Sequence, residues 1–122
     1  MSGHAAFAHL LLQVQDIESS CRFYRDTLGF TVRNAKPLAD GRPFVPFNQG
    51  LALTTGGPGE PLQIDHLAFS VTDVRDLAHR CEAAGVSFRQ GLHDGIYGLT
   101  VYVRDPDGTT VELFQPGAFL AD

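Results

Sequence analysis

Basic residues are scarce in this chain. Nine lysines and arginines stand against fourteen acidic residues in 122, a formal net charge of -5, and the nine are scattered. A nucleic-acid partner needs clustered cations to neutralise phosphates, so that class is excluded. Cysteine is scarcer still: Cys21 and Cys81 fall at apolar positions of helical patterns with no metal-type spacing between them. Both are expected as small core residues, with no disulfide implied. No apolar run approaches the roughly 20 residues that span a bilayer, and the opening Met1 to Ala6 lacks the basic and apolar regions of a signal peptide. No membrane role is expected, and a cytoplasmic location is. What remains, 43% hydrophobic and 19% charged residues, is the composition of an ordinary folded protein about one domain long.

The chain repeats itself. His9-Leu-Leu-Leu-Gln-Val-Gln-Asp-Ile-Glu, running to Leu28-Gly29-Phe30, matches His66-Leu-Ala-Phe-Ser-Val-Thr-Asp-Val-Arg, running to Ala84-Gly85-Val86. Each copy opens with a strand. Leu10, Leu12 and Val14 oppose His9, Leu11 and Gln13; Leu67, Phe69 and Val71 oppose His66, Ala68 and Ser70. Asp16 and Asp73 then cap helices. The first helix carries the stripe Ile17, Cys21, Tyr24, Leu28 and the second Val74, Leu77, Ala78, Cys81, with Gly29 and Gly85 as left-handed stops. Three strands should follow in each copy, near 31–36, 43–47 and 51–55, then near 87–90, 99–104 and 110–115. The chain is thus expected to be a single α+β domain, 1–122, of two tandem βαβββ modules (6–55 and 64–117) joined by a Gly/Pro-rich linker, 56–63. Each module carries a helix on one sheet face and a histidine on the other.

Chemistry concentrates between His93 and Glu112. Leu99 to Arg104 and Thr110 to Phe114 flank Asp105-Pro106-Asp107-Gly108, a hairpin signal. With Pro106, Asp107 and Gly108 as a three-residue loop, Arg104 pairs with Thr110 and Tyr102 faces Glu112. A carboxylate and a phenol would then share one sheet face. Two histidines at one phase of a repeat, His9 and His66, together with Glu112 suggest a two-histidine, one-carboxylate metal site suited to Fe(II), Mn(II), Zn(II) or Ni(II). Plainer roles exist for each residue taken alone. A strand histidine commonly faces solvent, Glu112 could be an exposed strand carboxylate, Tyr102 a cross-strand aromatic, and His93 a loop histidine between Gly91 and Gly95.

These residues carry a family likeness. His9, the run Phe23-Tyr24-Arg25-Asp26-Thr27-Leu28-Gly29-Phe30, His66, and Asp105-Pro106-Asp107-Gly108 ahead of Glu112 resemble the vicinal oxygen chelate superfamily of glyoxalases, bleomycin-resistance proteins and extradiol dioxygenases. The resemblance implies sheets curled into a cup around a divalent metal held by His9, His66 and Glu112. It also implies a small-molecule substrate chelated through two oxygens, and a homodimer whose metal sites are sometimes built from two subunits. Gly91-Leu92-His93, Val101-Tyr102, Asp105-Pro106-Asp107-Gly108 and Glu112 match the extradiol dioxygenase pattern most closely. In that branch the metal is Fe(II), the enzyme is an oxidoreductase, Tyr102 contacts a catecholate oxygen and His93 hydrogen-bonds beside the substrate. The chain departs from the branch in lacking its acid–base histidine, since Phe47 to Thr55 contains none. Glyoxalases of this fold use a fourth ligand where Ala52 or a neighbour stands. Fosfomycin-modifying transferases share Tyr102, but place a threonine where this chain has Leu11. A lyase, isomerase or thiol transferase of the same superfamily, or a non-catalytic small-molecule binding or resistance protein, are the alternatives to ring cleavage.

Overall fold

A computed structural model of the chain describes residues 5–57 and 64–122. Most of the predicted linker, residues 58–63, lies outside the described residues. Two sheets form. The first has three strands in the order β1-β3-β2: β1 (Leu10–Gln13), β2 (Val45–Pro46) and β3 (Leu51–Thr54). The second has four in the order β4-β7-β6-β5: β4 (Leu67–Ser70), β5 (Phe88–Gly95), β6 (Gly98–Arg104) and β7 (Thr110–Pro116). In each sheet the strand that precedes the helix pairs in parallel with the last strand of its half, β1 with β3 and β4 with β7. The remaining pairs are antiparallel.

The helices form as their stripes require. The Asp16 side chain accepts from the Glu18 N–H and that of Asp73 from the Asp76 N–H, satisfying donors that a first turn leaves open. Helix α2 (Val74–Ala83) buries Val74, Leu77, Ala78 and Cys81, the four residues of its stripe. Helix α1 (Ile17–Cys21) widens into a π-helical segment, Arg22–Thr27, in which the Leu28 N–H donates to the Phe23 carbonyl. That extra residue per turn leaves Tyr24 and Leu28 buried with Cys21. Gly29 (φ 80°) and Gly85 (φ 74°) close the two helices in the left-handed region, where a side chain would be strained.

Three strand expectations are corrected. Residues 31–36 form no strand, only an isolated bridge from Val32 to Phe47. Asn34 (φ 48°) reverses the backbone there, and Pro37 follows with no N–H to donate. The 43–47 strand shortens to Val45–Pro46. The segment expected at 87–90 extends instead to Gly95, with register shifts that break its alternation.

One core joins the halves. Rings of Phe30 and Phe69 pack edge to face at 4.9 Å, and Tyr24 lies 5.6 Å from Phe30 and 6.1 Å from Phe47. Edge-to-face packing places positive ring edges on negative ring faces, an attraction beyond area burial. Cys21 and Cys81 sit in this core as free thiols, as their positions imply. Burial pushes the thiol of Cys81 up to about 11.

Candidate functional site

The β6–β7 hairpin places the chemistry. The Asp105 N–H donates to the Thr109 carbonyl, closing Pro106, Asp107 and Gly108 as a three-residue loop. Asp105 Oδ1 accepts from the Asp107 and Thr109 N–H groups at 3.0 and 2.8 Å, an Asx turn that fixes the reversal, and Gly108 supplies φ 88°. Arg104 consequently pairs with Thr110 and Tyr102 with Glu112, the register expected from the loop length.

Pairing of β4 with β7 places Ala68 opposite Glu112, so Ala68, Glu112, Tyr102 and Gln90 form one row across the sheet. The next positions, Leu67, Val111 and Val103, belong to the opposite, core-facing side. Ala68 is small, which leaves open the space above the row. His66, two residues before Ala68 on the same face, reaches across it: its Nε2 lies 3.1 Å from Glu112 Oε1. Its other ring nitrogen, Nδ1, lies 2.6 Å from Asp65 Oδ2. The Asp65 carboxylate at Nδ1 holds the ring's orientation, with Nε2 directed at Glu112.

Tyr102 completes the cluster. Its ring is stacked on His93 at 5.5 Å and stands edge to face with His66 at 6.0 Å. The guanidinium of Arg89 lies 5.6 Å from its centroid. Burial and the neighbouring Glu112 carboxylate raise the phenol above its usual 10, so it remains a hydrogen-bond donor at neutral pH, while Arg89 acts in the opposite direction. His93 is not a loop residue: it belongs to β5 opposite Thr100, with Nδ1 2.7 Å from the Gly91 carbonyl.

His66, Glu112, Tyr102 and His93 are therefore brought together, and His9 is not. His9 is exposed just ahead of β1, on the first sheet, where it walls a cavity of about 480 Å³ with Arg33 and Lys36. Among the described residues no three His, Cys, Asp or Glu side chains converge closely enough to hold a metal. Two of the three expected donors, His66 Nε2 and Glu112 Oε1, do lie 3.1 Å apart on the second sheet, and imidazole and carboxylate are donor types that would hold a divalent ion. Sequence reasoning missed Asp65 and Arg89. Asp65 was available as the residue adjoining a suspected ligand. Arg89 was concealed by the irregular register of β5.

An α+β chain of two sheets, with imidazole, carboxylate and phenol gathered on one sheet face, is the class to which glyoxalase-type proteins conform. The chain belongs to the glyoxalase/bleomycin resistance protein/dioxygenase superfamily, whose model matches residues 6–113. Lactoylglutathione lyase of Pseudomonas putida is 27% identical over 90% of this chain and 84% of that protein. An iron-dependent extradiol dioxygenase of Rhodococcus jostii is 28% identical over 100% of this chain but 47% of its own length, so the chain spans about half of that enzyme. The crystal structure of TnmS3, an antibiotic-binding protein from Streptomyces sp. CB03234, shares the fold with a TM-score of 0.76 at 24% identity, covering 96% of this chain and 100% of that one.

Proposed function

We propose that the protein is a metal-dependent enzyme that binds a small oxygenated aromatic substrate through two vicinal oxygens, with extradiol ring cleavage as the leading reaction. His66 and Glu112 are two of the ligands. His9 is the third, supplied by a second copy of the chain in a homodimer whose sheets close a cup around each site. The observation that carries this is the 3.1 Å approach of His66 Nε2 to Glu112 Oε1, with Tyr102 in the directly opposing register position.

A divalent ion held there would chelate adjacent substrate oxygens and lower the pKa of a hydroxyl among them. The chain's own residues supply the rest. Asp65 keeps His66 in its ligating orientation. Tyr102, protonated at neutral pH, donates from its hydroxyl to a developing oxyanion beside Glu112. His93, stacked on Tyr102, fixes that ring and offers Nε2 to the substrate edge. Strand β3, Leu51-Ala52-Leu53-Thr54, carries no carboxylate, which argues against the four-ligand arrangement of glyoxalases.

Metal analysis of protein purified without chelator tests the site: near-stoichiometric metal is expected, and its loss in His66→Ala. Subunit sharing has a sharper test. Mixed dimers of His9→Ala and Glu112→Ala chains retain one intact site per heterodimer, so random assortment restores about a quarter of the wild-type sites. No restoration on mixing refutes sharing. Catechols incubated anaerobically with Fe(II) and then exposed to oxygen should yield yellow ring-cleavage products, and failure across a broad panel removes the leading reaction. The second reading, a non-catalytic small-molecule binding protein, is favoured by the two-donor count within one chain, and absence of metal from the native protein would select it.

A further inference from the structure

We propose that the cavity beside His9 recognises an anionic group of the substrate, a carboxylate carried on an aromatic ring, through Arg33 and Lys36. The substrate assignment rests on the metal-site proposal in taking His9 as a ligand; the anion site itself does not.

The cavity, about 480 Å³, is walled by His9, Arg33, Asn34, Lys36, Phe44 and Pro46 among others, and no acidic residue lines it. That is unexpected in a chain of net charge -5 with a single lysine, Lys36. Elsewhere three arginines are matched by carboxylates, and the cavity that holds Arg22 and Arg104 also contains Asp105. The cleft between β4 and α2 contains Arg80, but Asp76 lies 3.2 Å from its Nε. Arg25 and Arg42 pair with Asp26 and Asp40. Among the described residues neither Arg33 nor Lys36 makes an ion pair.

Arg33 and Lys36 are both exposed and share one wall that no acidic residue lines, so an anion in the cavity would meet both positive charges. Their placement is held by the backbone: the Arg33 N–H donates to the Pro46 carbonyl at 2.9 Å and the Lys36 N–H to the Phe44 carbonyl at 3.2 Å. Asn34, between them, adopts φ 48°, a left-handed conformation that asparagine tolerates better than most residues. An arginine fork binds a carboxylate through two parallel hydrogen bonds, and a lysine adds a point charge. Phe44 and Pro46 provide the apolar surface for a ring. Because His9 shares the wall, the anion lies in the same cavity as any oxygens bound near His9, which restricts the substrate to a compact aromatic acid.

The probes are benzoate and its neutral isostere benzamide, titrated calorimetrically into the metal-free protein. Benzoate is expected to bind about tenfold or more tightly than benzamide, a preference that weakens as salt rises. In the double variant Arg33→Gln, Lys36→Gln the two ligands should bind alike, with an unchanged melting temperature. Arg25→Gln, which removes a cation already paired with Asp26 on the first helix, should preserve the preference. Equal binding of both probes, no binding of either, or an undiminished preference in the double variant overturns the proposal. The readout needs neither metal nor turnover. Its failure is therefore distinct from a failure of metal retention in the native protein.

Discussion

Removing one hydroxyl tests how the hairpin is anchored. Tyr24 is fully buried and its hydroxyl donates to Asp105 Oδ2 at 2.8 Å, joining the π-helical segment to the turn that sets Tyr102 against Glu112. Tyr24→Phe retains the ring packing on Phe23, Phe30 and Phe47. Asp105 keeps both backbone donors on Oδ1 and loses its donor on Oδ2. A buried hydrogen bond to a charged group contributes about 1.5–3 kcal/mol, which for a domain of this size corresponds to a fall of about 5–15 °C in melting temperature.

The deficit also depends on pH. Burial raises Asp105 above its ordinary 3.8, and the Tyr24 hydroxyl opposes that rise. Without the hydroxyl the folded variant holds its proton to higher pH than the folded wild type. Stability falls with rising pH wherever the folded state binds more protons than the unfolded one, so the variant's deficit grows from pH 4 to pH 7. Chemical denaturation at both values measures it, with exposed Tyr97→Phe as the control. Adding Asp105→Asn completes a double-mutant cycle, since asparagine keeps the Oδ1 acceptor. A deficit under about 0.5 kcal/mol, or one that is equal at the two pH values, refutes the anchoring role.

Other perturbations have defined outcomes. Gly98 has φ 139°, and a Cβ there would strike the Gln115 carbonyl oxygen in the neighbouring strand; Gly98→Ala should cost about 1–3 kcal/mol, read by denaturant midpoint, and a neutral result would mean that the hairpin end yields freely. Burial pushes both thiols up, Cys81 to about 11; at pH 8 Ellman's reagent should therefore detect no thiol in the native protein and both after denaturation, and native reactivity would show an open core. Glu112→Gln removes a carboxylate that raises Tyr102, whereas Arg89→Gln removes a cation that lowers it. Titration monitored at 295 nm should move one tyrosine to lower pH in the first variant and to higher pH in the second, and no movement in either would separate Tyr102 from both residues.

The parts of the fold legible in the sequence are those written by local periodicity. The stripe of α2, both Asp caps and both glycine stops need only a few neighbouring residues, and each stands where the pattern puts it. The pairing of Tyr102 with Glu112 was legible because a short loop admits one register: closing the chain over Pro106, Asp107 and Gly108 leaves no alternative that keeps Val101, Val103 and Val111 on the buried side. The strand expected at 31–36 failed for the complementary reason. Alternation in Thr31 to Lys36 is compatible with a strand, but Asn34 in a left-handed conformation interrupts the ladder, leaving the isolated Val32–Phe47 bridge and a separate bond from the Lys36 N–H to the Phe44 carbonyl, and no periodic signal announces a single reversed residue.

Strand phase assigns a histidine to a face, but not which second face it meets. His9 and His66 occupy the same phase of the repeat, yet the chain places them on different sheets, and only His66 lies beside Glu112. Parallel pairing within each half makes every sheet self-contained, because β1 finds β3 and β4 finds β7 without reference to the other half. The contacts that join the halves, Tyr24 to Asp105 and Phe30 to Phe69, lie on the core side and leave the histidine faces uncommitted. The proposed site, which needs both faces, would therefore have to be specified by assembly rather than by the repeat. For that reason the mixed dimer of His9→Ala and Glu112→Ala chains, more than any single substitution, decides how the three residues act together.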